Sequence, residues 1–184
     1  MKPLRVEFVG AATGPWRIDR VDAVVGDPLP AAARLTMAEG YQGSAPVEAS
    51  WVLRGVTSNE RYVNTAERAA LSVRQQGLGR AEAARAALIP IRKSEAWWEL
   101  TQDERREIFE ERSRHVATGL EYLPAVARRL HHSRDLGEPF DFLTWFEYAP
   151  GHAGAFEELV AKLRQTEEWT YVEREVDIRL VREL

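Results

Sequence analysis

The chain of 184 residues contains no cysteine. That absence removes disulfide frameworks, iron–sulfur clusters, thiolate zinc sites and cysteine nucleophiles together, so any metal must rely on histidine or carboxylate. Histidine is also scarce. His115, His131, His132 and His152 are the four present, with no HExxH and no pair at i, i+4. The adjacent His131-His132 would point to opposite faces of a strand, so a zinc site of the usual kind is not expected. Long apolar runs are missing too. Stretches such as Ala86–Ile89 fall far short of the roughly 20 residues that cross a bilayer, and Met1-Lys2-Pro3-Leu4-Arg5 leads into no apolar h-region. We expect a cytoplasmic protein without membrane contact. An excess of basic residues is likewise absent. The 25 Lys plus Arg against 29 Asp plus Glu give a net charge of −4, which argues against nonspecific nucleic-acid binding.

What is present is an ordinary globular composition, 45% hydrophobic beside 29% charged, enough for one large domain or two small, closely packed ones. The C-terminal half is the more legible. Thr101-Gln102-Asp103-Glu104 forms a capping box, and the helix it opens, Glu104 to about Thr118, puts Ile108, Phe109, Arg112, His115 and Val116 on one side before Gly119 stops it. His115 therefore faces inward. The stretch Tyr122 to Arg134 reads as helix or strand, but Pro124 and the tight Arg134–Glu138 segment before Phe140–Phe146 favour a β-hairpin. As a strand, it puts Val126, Arg128 and Leu130 on one face and Ala127, Arg129 and His131 on the other. Phe156, Leu159, Val160 and Leu163 mark a helix between Gly151 and Gln165, and a strand alternates from Trp169 to Leu180.

With a strand around Leu88–Arg92, the order becomes β-α-β-β-α-β, an α+β arrangement of ferredoxin-like type, with helices on one face of an antiparallel sheet. The N-terminal half repeats it in shortened form. Strands at Arg5–Val9, Trp16–Val21 and Ala49–Gly55 precede a helix from Thr65, its expected N-cap, to Gln75, and Gly77-Leu78-Gly79 breaks the chain. The expected units are residues 1–80 and 81–184.

Six tryptophans are many for this length. The neighbours Trp97-Trp98 could wall a planar ligand or simply pack a core. A single inward histidine such as His115 suffices as the axial ligand of a haem iron, although a core histidine is the commoner outcome. Glu168 next to Glu167 reads by itself as a solvated acid.

The run Ile89–Leu180 resembles the haem-binding half of the chlorite dismutase family, especially its short, dimeric branch. The stretches that carry the likeness are Ile89-Pro90-Ile91-Arg92-Lys93, Trp97-Trp98, Arg112-Ser113-Arg114-His115, Gly119-Leu120-Glu121-Tyr122-Leu123-Pro124, Arg128-Arg129-Leu130, Arg134–Phe142 and Glu168-Trp169. The resemblance implies haem b (heme, with iron as the metal), His115 as its proximal ligand, and Glu168 rather than Glu167 as the carboxylate behind that imidazole. It also implies Arg128 as the distal arginine that holds a small oxyanion, with Arg129 a rival that strand parity turns to solvent. Lys93, Trp97 and Tyr62 correspond to contacts of the propionates or porphyrin edge, and Gln75, beside its competitor Gln76, to a distal glutamine that bonds Arg128 when it swings outward. The implied activity converts chlorite to chloride and molecular oxygen through a ferryl and hypochlorite pair. A peroxidase or other haem-modifying enzyme, and a non-catalytic haem-binding protein, remain the alternatives. Membership of the short branch, with Trp and Phe on outward sheet faces that need cover, implies a homodimer.

Overall fold

The computed structural model describes residues 3–40, 48–57 and 62–183. The strands are β1 (Arg5–Ala11), β2 (Trp16–Val25), β3 (Arg34–Glu39), β4 (Trp51–Thr57), β5 (Arg85–Lys93), β6 (Val126–His132), β7 (Phe142–Tyr148) and β8 (Val172–Arg182). Among the described residues five α-helices accompany them: α1 (Thr65–Arg74), α2 (Glu95–Glu99), α3 (Gln102–Arg106), α4 (His115–Glu121) and α5 (Ala153–Arg164). All the strands join a closed antiparallel barrel in the order β1-β3-β2-β8-β5-β7-β6-β4. Taken four at a time, β2-β3-β1-β4 and β6-β7-β5-β8 both run second, third, first, fourth. This is the strand order of the ferredoxin-like unit, present twice. The first copy is short because only residues 12–15 join β1 to β2, where the second copy has helices between β5 and β6.

Alternation along the strands divides the apolar residues between two sides of the sheet. Phe8, Leu35, Leu88, Trp145 and Ile178 fill the barrel, with the Phe8 and Trp145 rings stacked at 5.7 Å. Ala87, Ile89, Val126 and Phe146 face outward onto Phe156, Leu159, Val160 and Leu163 of α5, the four positions that helical spacing marks. Among the described residues, no helix is long and apolar enough to cross a membrane.

The capping box forms as expected, Glu104 N–H donating to Thr101 Oγ1 and Thr101 N–H to Glu104 Oε2. The helix beyond it departs from the expected single rod. It passes into a π-helical stretch, Glu107–Arg112, and breaks at Arg114, whose φ of 51° is left-handed. Neither Gly nor Pro marks that break, so the pattern gave no warning. Arg112 consequently lies at the surface, paired with Glu107 and Glu167, and Gly119 sits inside α4 instead of ending it. Asn64, not Thr65, caps α1, in a capping box with Glu67. Strand β3 has no counterpart in the sequence reading, because Leu35 is its one fully buried residue.

Deep in the wall, His131 is sealed beside Phe8. Its Nδ1–H donates to the Leu143 carbonyl at 2.9 Å, while Nε2 accepts from Arg129 Nε at 3.1 Å, so the neutral ring is satisfied at both nitrogens. Burial, against the hydrogen bond to Leu143 and with the nearby Arg129 charge, pushes its pKa down from 6.5 to about 4. Below pH 6.5 the unfolded chain takes up a proton that the native chain refuses until about pH 4. Stability is therefore complete above that window and falls as pH drops through it, by roughly 3 kcal/mol in all. Urea midpoints between pH 7 and 5, where carboxylates barely titrate, should show this slope in the wild type and lose it in His131→Gln. A slope unchanged by the substitution would clear His131.

Candidate functional site

Between the outer face of the C-terminal sheet and helices α1, α4 and α5 lies a cavity of about 670 Å³. Ile89, Ile91, Leu71, Phe109, Val116 and Phe146 give it an apolar wall, and His115, Arg128, Lys93, Glu168, Trp97, Tyr62 and Gln75 all line it.

His115 owes its position to the broken helix. Left-handed Arg114 starts a new turn, and Glu110, from the π-helical stretch, caps it by accepting Val116 N–H at 2.6 Å and Ala117 N–H at 3.2 Å. The imidazole thus opens α4 and does not cap it. Irregular turns of this kind recur where a side chain must be aimed. Phe109 stacks on the ring at 4.4 Å between centroids, and Trp169 lies nearly parallel at 6.4 Å. Nδ1 is 2.7 Å from Glu168 Oε2. With that nitrogen occupied, Nε2 is the ring atom left for a ligand.

Glu168 is buried in a short 3₁₀ turn, Glu167–Tyr171. Its backbone N–H donates to Ser113 Oγ at 3.0 Å, and Lys93 Nζ lies 2.8 Å from its second oxygen. Burial pushes the carboxyl up, but the Lys93 and His115 charges and hydrogen bonds outweigh it and hold the group at about 2. Glu168 is consequently an anion at any working pH and an acceptor for Nδ1–H. Glu167 is its opposite, exposed and paired with Arg112.

Lys93 lines the cavity, but its side chain is 4% exposed, and its ammonium pairs with Glu168 and lies over the Trp97 ring at 4.4 Å. Its partner within the protein is thus the carboxylate behind His115. Trp97 and Tyr62 behave differently: the buried Trp97 Nε1 and Tyr62 hydroxyl have no hydrogen-bond partner within the protein. Two orphaned donors on one cavity wall call for acceptors from a ligand. The tandem tryptophans part company, since Trp98 turns away to stack on Phe142 and donate to Asp141. Tyr62 itself holds a positive φ of 64°, its carbonyl bonded by Arg106, which also clasps Glu67 of α1 at 2.7 and 2.8 Å. That clasp ties α3 to α1 across the cavity's edge.

On β6, Arg128, Arg129 and Leu130 all border the cavity. Arg129 is partly open to solvent, its side chain 23% exposed. Its guanidinium is tied to Glu39 at 2.6 Å and to His131. Gln75 Nε2 donates to the Arg128 carbonyl at 2.5 Å, so it grips the strand that carries the arginine. Gln76 lies outside, bonded to Arg80. Ser113, Glu110 and Trp169 complete the site without having been singled out for it; only the Glu168-Trp169 pair hinted at the last.

Fold and site together define a class: an α+β barrel that presents one histidine, braced by a buried carboxylate, to an apolar cavity with an arginine on its wall. Among the described residues no three histidine or carboxylate side chains converge to cage a metal ion, and the carboxylate beside His115 is tied to its Nδ1. Comparison with known proteins then names the family. A sequence model described as "Chlorite dismutase" matches residues 36–184. The chlorite dismutase of Ideonella dechloratans is 36% identical over 86 residues, which span 47% of this chain and 28% of that protein. The dimeric chlorite dismutase of Nitrobacter winogradskyi is 61% identical, covers 97% of this chain and 99% of its own, and superposes with a TM-score of 0.90. The chlorite dismutase of Candidatus Nitrospira defluvii, solved with imidazole, shares the fold at 20% identity and a TM-score of 0.66, over 96% of this chain and 90% of its own. The chain belongs to the chlorite dismutase family, a family of enzymes.

Proposed function

We propose that the cavity binds haem b and that the protein converts chlorite to chloride and molecular oxygen. The observation that carries this reading is the buried Lys93–Glu168–His115 chain, 2.8 and 2.7 Å long at its two links, ending on the wall of an apolar cavity beside Arg128. The residues fit the group. A flat apolar ring suits the aliphatic and aromatic wall, one nitrogen donor suits an iron already held by four porphyrin nitrogens, and the orphaned Trp97 and Tyr62 donors suit its carboxylates. Haem, when bound, supplies a redox-active iron for oxygen-atom transfer.

The chain's own residues do the rest. Anionic Glu168 keeps Nδ1 protonated and donating, which fixes the tautomer and makes Nε2 a stronger donor to metal. Lys93 keeps Glu168 anionic without competing for the ring. Arg128, always charged, holds a small oxyanion by charge and by its forked N–H groups. The apolar wall excludes water, which strengthens that hold. Titrating the purified protein with haemin should give one haem per chain and an absorption spectrum that changes on adding chlorite. A protein that takes up no haem, or whose spectrum ignores chlorite, would end the proposal.

We also propose a homodimer, as the similar Nitrobacter protein is described. The argument from exposed aromatics falls away, because the large apolar residues exposed among the described ones are Val21, Val24, Val73 and Leu136. Light scattering should give twice the chain mass of 20.9 kDa. A pentameric mass would contradict it.

A further inference from the structure

Gly119 stands one helical turn beyond His115 on α4, so the two α-carbons share a face. Glycine is a poor choice there. It is the weakest helix former after proline, and Gly119 lies within α4 at a backbone angle outside the left-handed region, so conformational freedom does not account for it. Space does. A Cβ at Gly119 would sit 2.0 Å from Arg128 Nη1 and 2.8 Å from both Cζ and Nη2. Its three nearest neighbours all belong to one guanidinium, and none is backbone.

We propose that Gly119 is a positioning residue: the side chain it lacks leaves a notch on α4 in which the Arg128 head docks, and the notch sets how far that head withdraws from the cavity. The inference rests on the reading of Arg128 as the oxyanion-holding group. Arg128 then spans the site from β6, where Gln75 grips its carbonyl, to α4, where Gly119 admits its head. An alanine at the notch must move the guanidinium, the flexible partner, back toward the cavity.

The test is a double-mutant cycle on the full-length protein: wild type, Gly119→Ala, Arg128→Ala and the pair. With Arg128 removed, the alanine is freed of the guanidinium that supplies its three nearest contacts, and its better helix propensity should raise the thermal midpoint by about 2–4 °C. With Arg128 present, it should raise nothing or lower it. Equal shifts in both backgrounds overturn the notch. If Gly119→Ala fails to fold but the pair folds, the proposal stands; if neither folds, glycine serves the backbone and the proposal falls. A second arm uses nitrite, a bent oxyanion, on the haem-loaded proteins. Gly119→Ala should tighten nitrite binding several-fold and have no effect once Arg128 is gone; unchanged binding in both overturns the claim that the notch limits withdrawal. Thermal coupling without oxygen release from chlorite would keep the notch and remove the functional reading. Oxygen release with additive thermal shifts would remove the notch alone.

Discussion

Replacing His115 with alanine should lower haem affinity by about 100-fold or more while leaving the barrel folded. The loss is large because the neighbouring Glu168 carboxylate is already committed to Lys93, and among the described residues no cluster of three or more histidine, cysteine or carboxylate side chains gathers that could hold the iron instead. The fold survives because α4 does not depend on the imidazole. Its first amides are capped by Glu110, and Glu168 keeps its bond to Lys93. A haemin titration followed at the main porphyrin band, with circular dichroism as the control for folding, reads the effect. An alanine variant with wild-type affinity and spectrum would mean that iron is held elsewhere.

The second large effect belongs to Arg128. Its alanine variant should bind haem normally, since a guanidinium is not an iron ligand, yet release less oxygen per chlorite and inactivate itself sooner. A charge-assisted hydrogen bond is worth about 1.5–3 kcal/mol, or roughly 10- to 100-fold in retention of an anion. On the proposed reading, hypochlorite that escapes is oxygen not formed, so a hypochlorite trap should collect far more oxidised product from the variant than from the wild type and should delay the variant's inactivation. Arg129→Ala should barely change the yield. Its guanidinium is committed to Glu39 and His131, so its loss should appear in stability and in the acid slope tied to His131. A crippled Arg129 variant beside a normal Arg128 variant would reverse the assignment.

How far these residues could be read from sequence depends on the length scale of each interaction. Local signals were legible. The capping box at Thr101, the spacing of Phe156, Leu159, Val160 and Leu163, and the alternation through Val176, Ile178 and Leu180 each depend on neighbours a few positions away. Strand β3 escaped because one buried leucine makes no alternation, and the break at Arg114 escaped because a left-handed arginine looks like any arginine. The site was harder. Glu168 lies 53 residues from His115 and 75 from Lys93, and no spacing rule separates it from Glu167; only likeness to a family chose it. The pairing of Lys93 with Glu168 stayed hidden for the same reason, since a lysine's partner is settled by the fold. Gly119 read as a helix stop because glycine usually is one; that a distant arginine occupies its missing side chain is visible only in three dimensions.

The most direct test of the central claim is mass spectrometry of the gas released when the haem-loaded protein acts on chlorite labelled with ¹⁸O in ordinary water. If the haem cavity retains the oxyanion beside Arg128 until the oxygen–oxygen bond forms, both atoms of the product come from chlorite and the gas is doubly labelled. Oxygen carrying an atom from water, or no oxygen at all from a protein that holds its haem, would contradict the account.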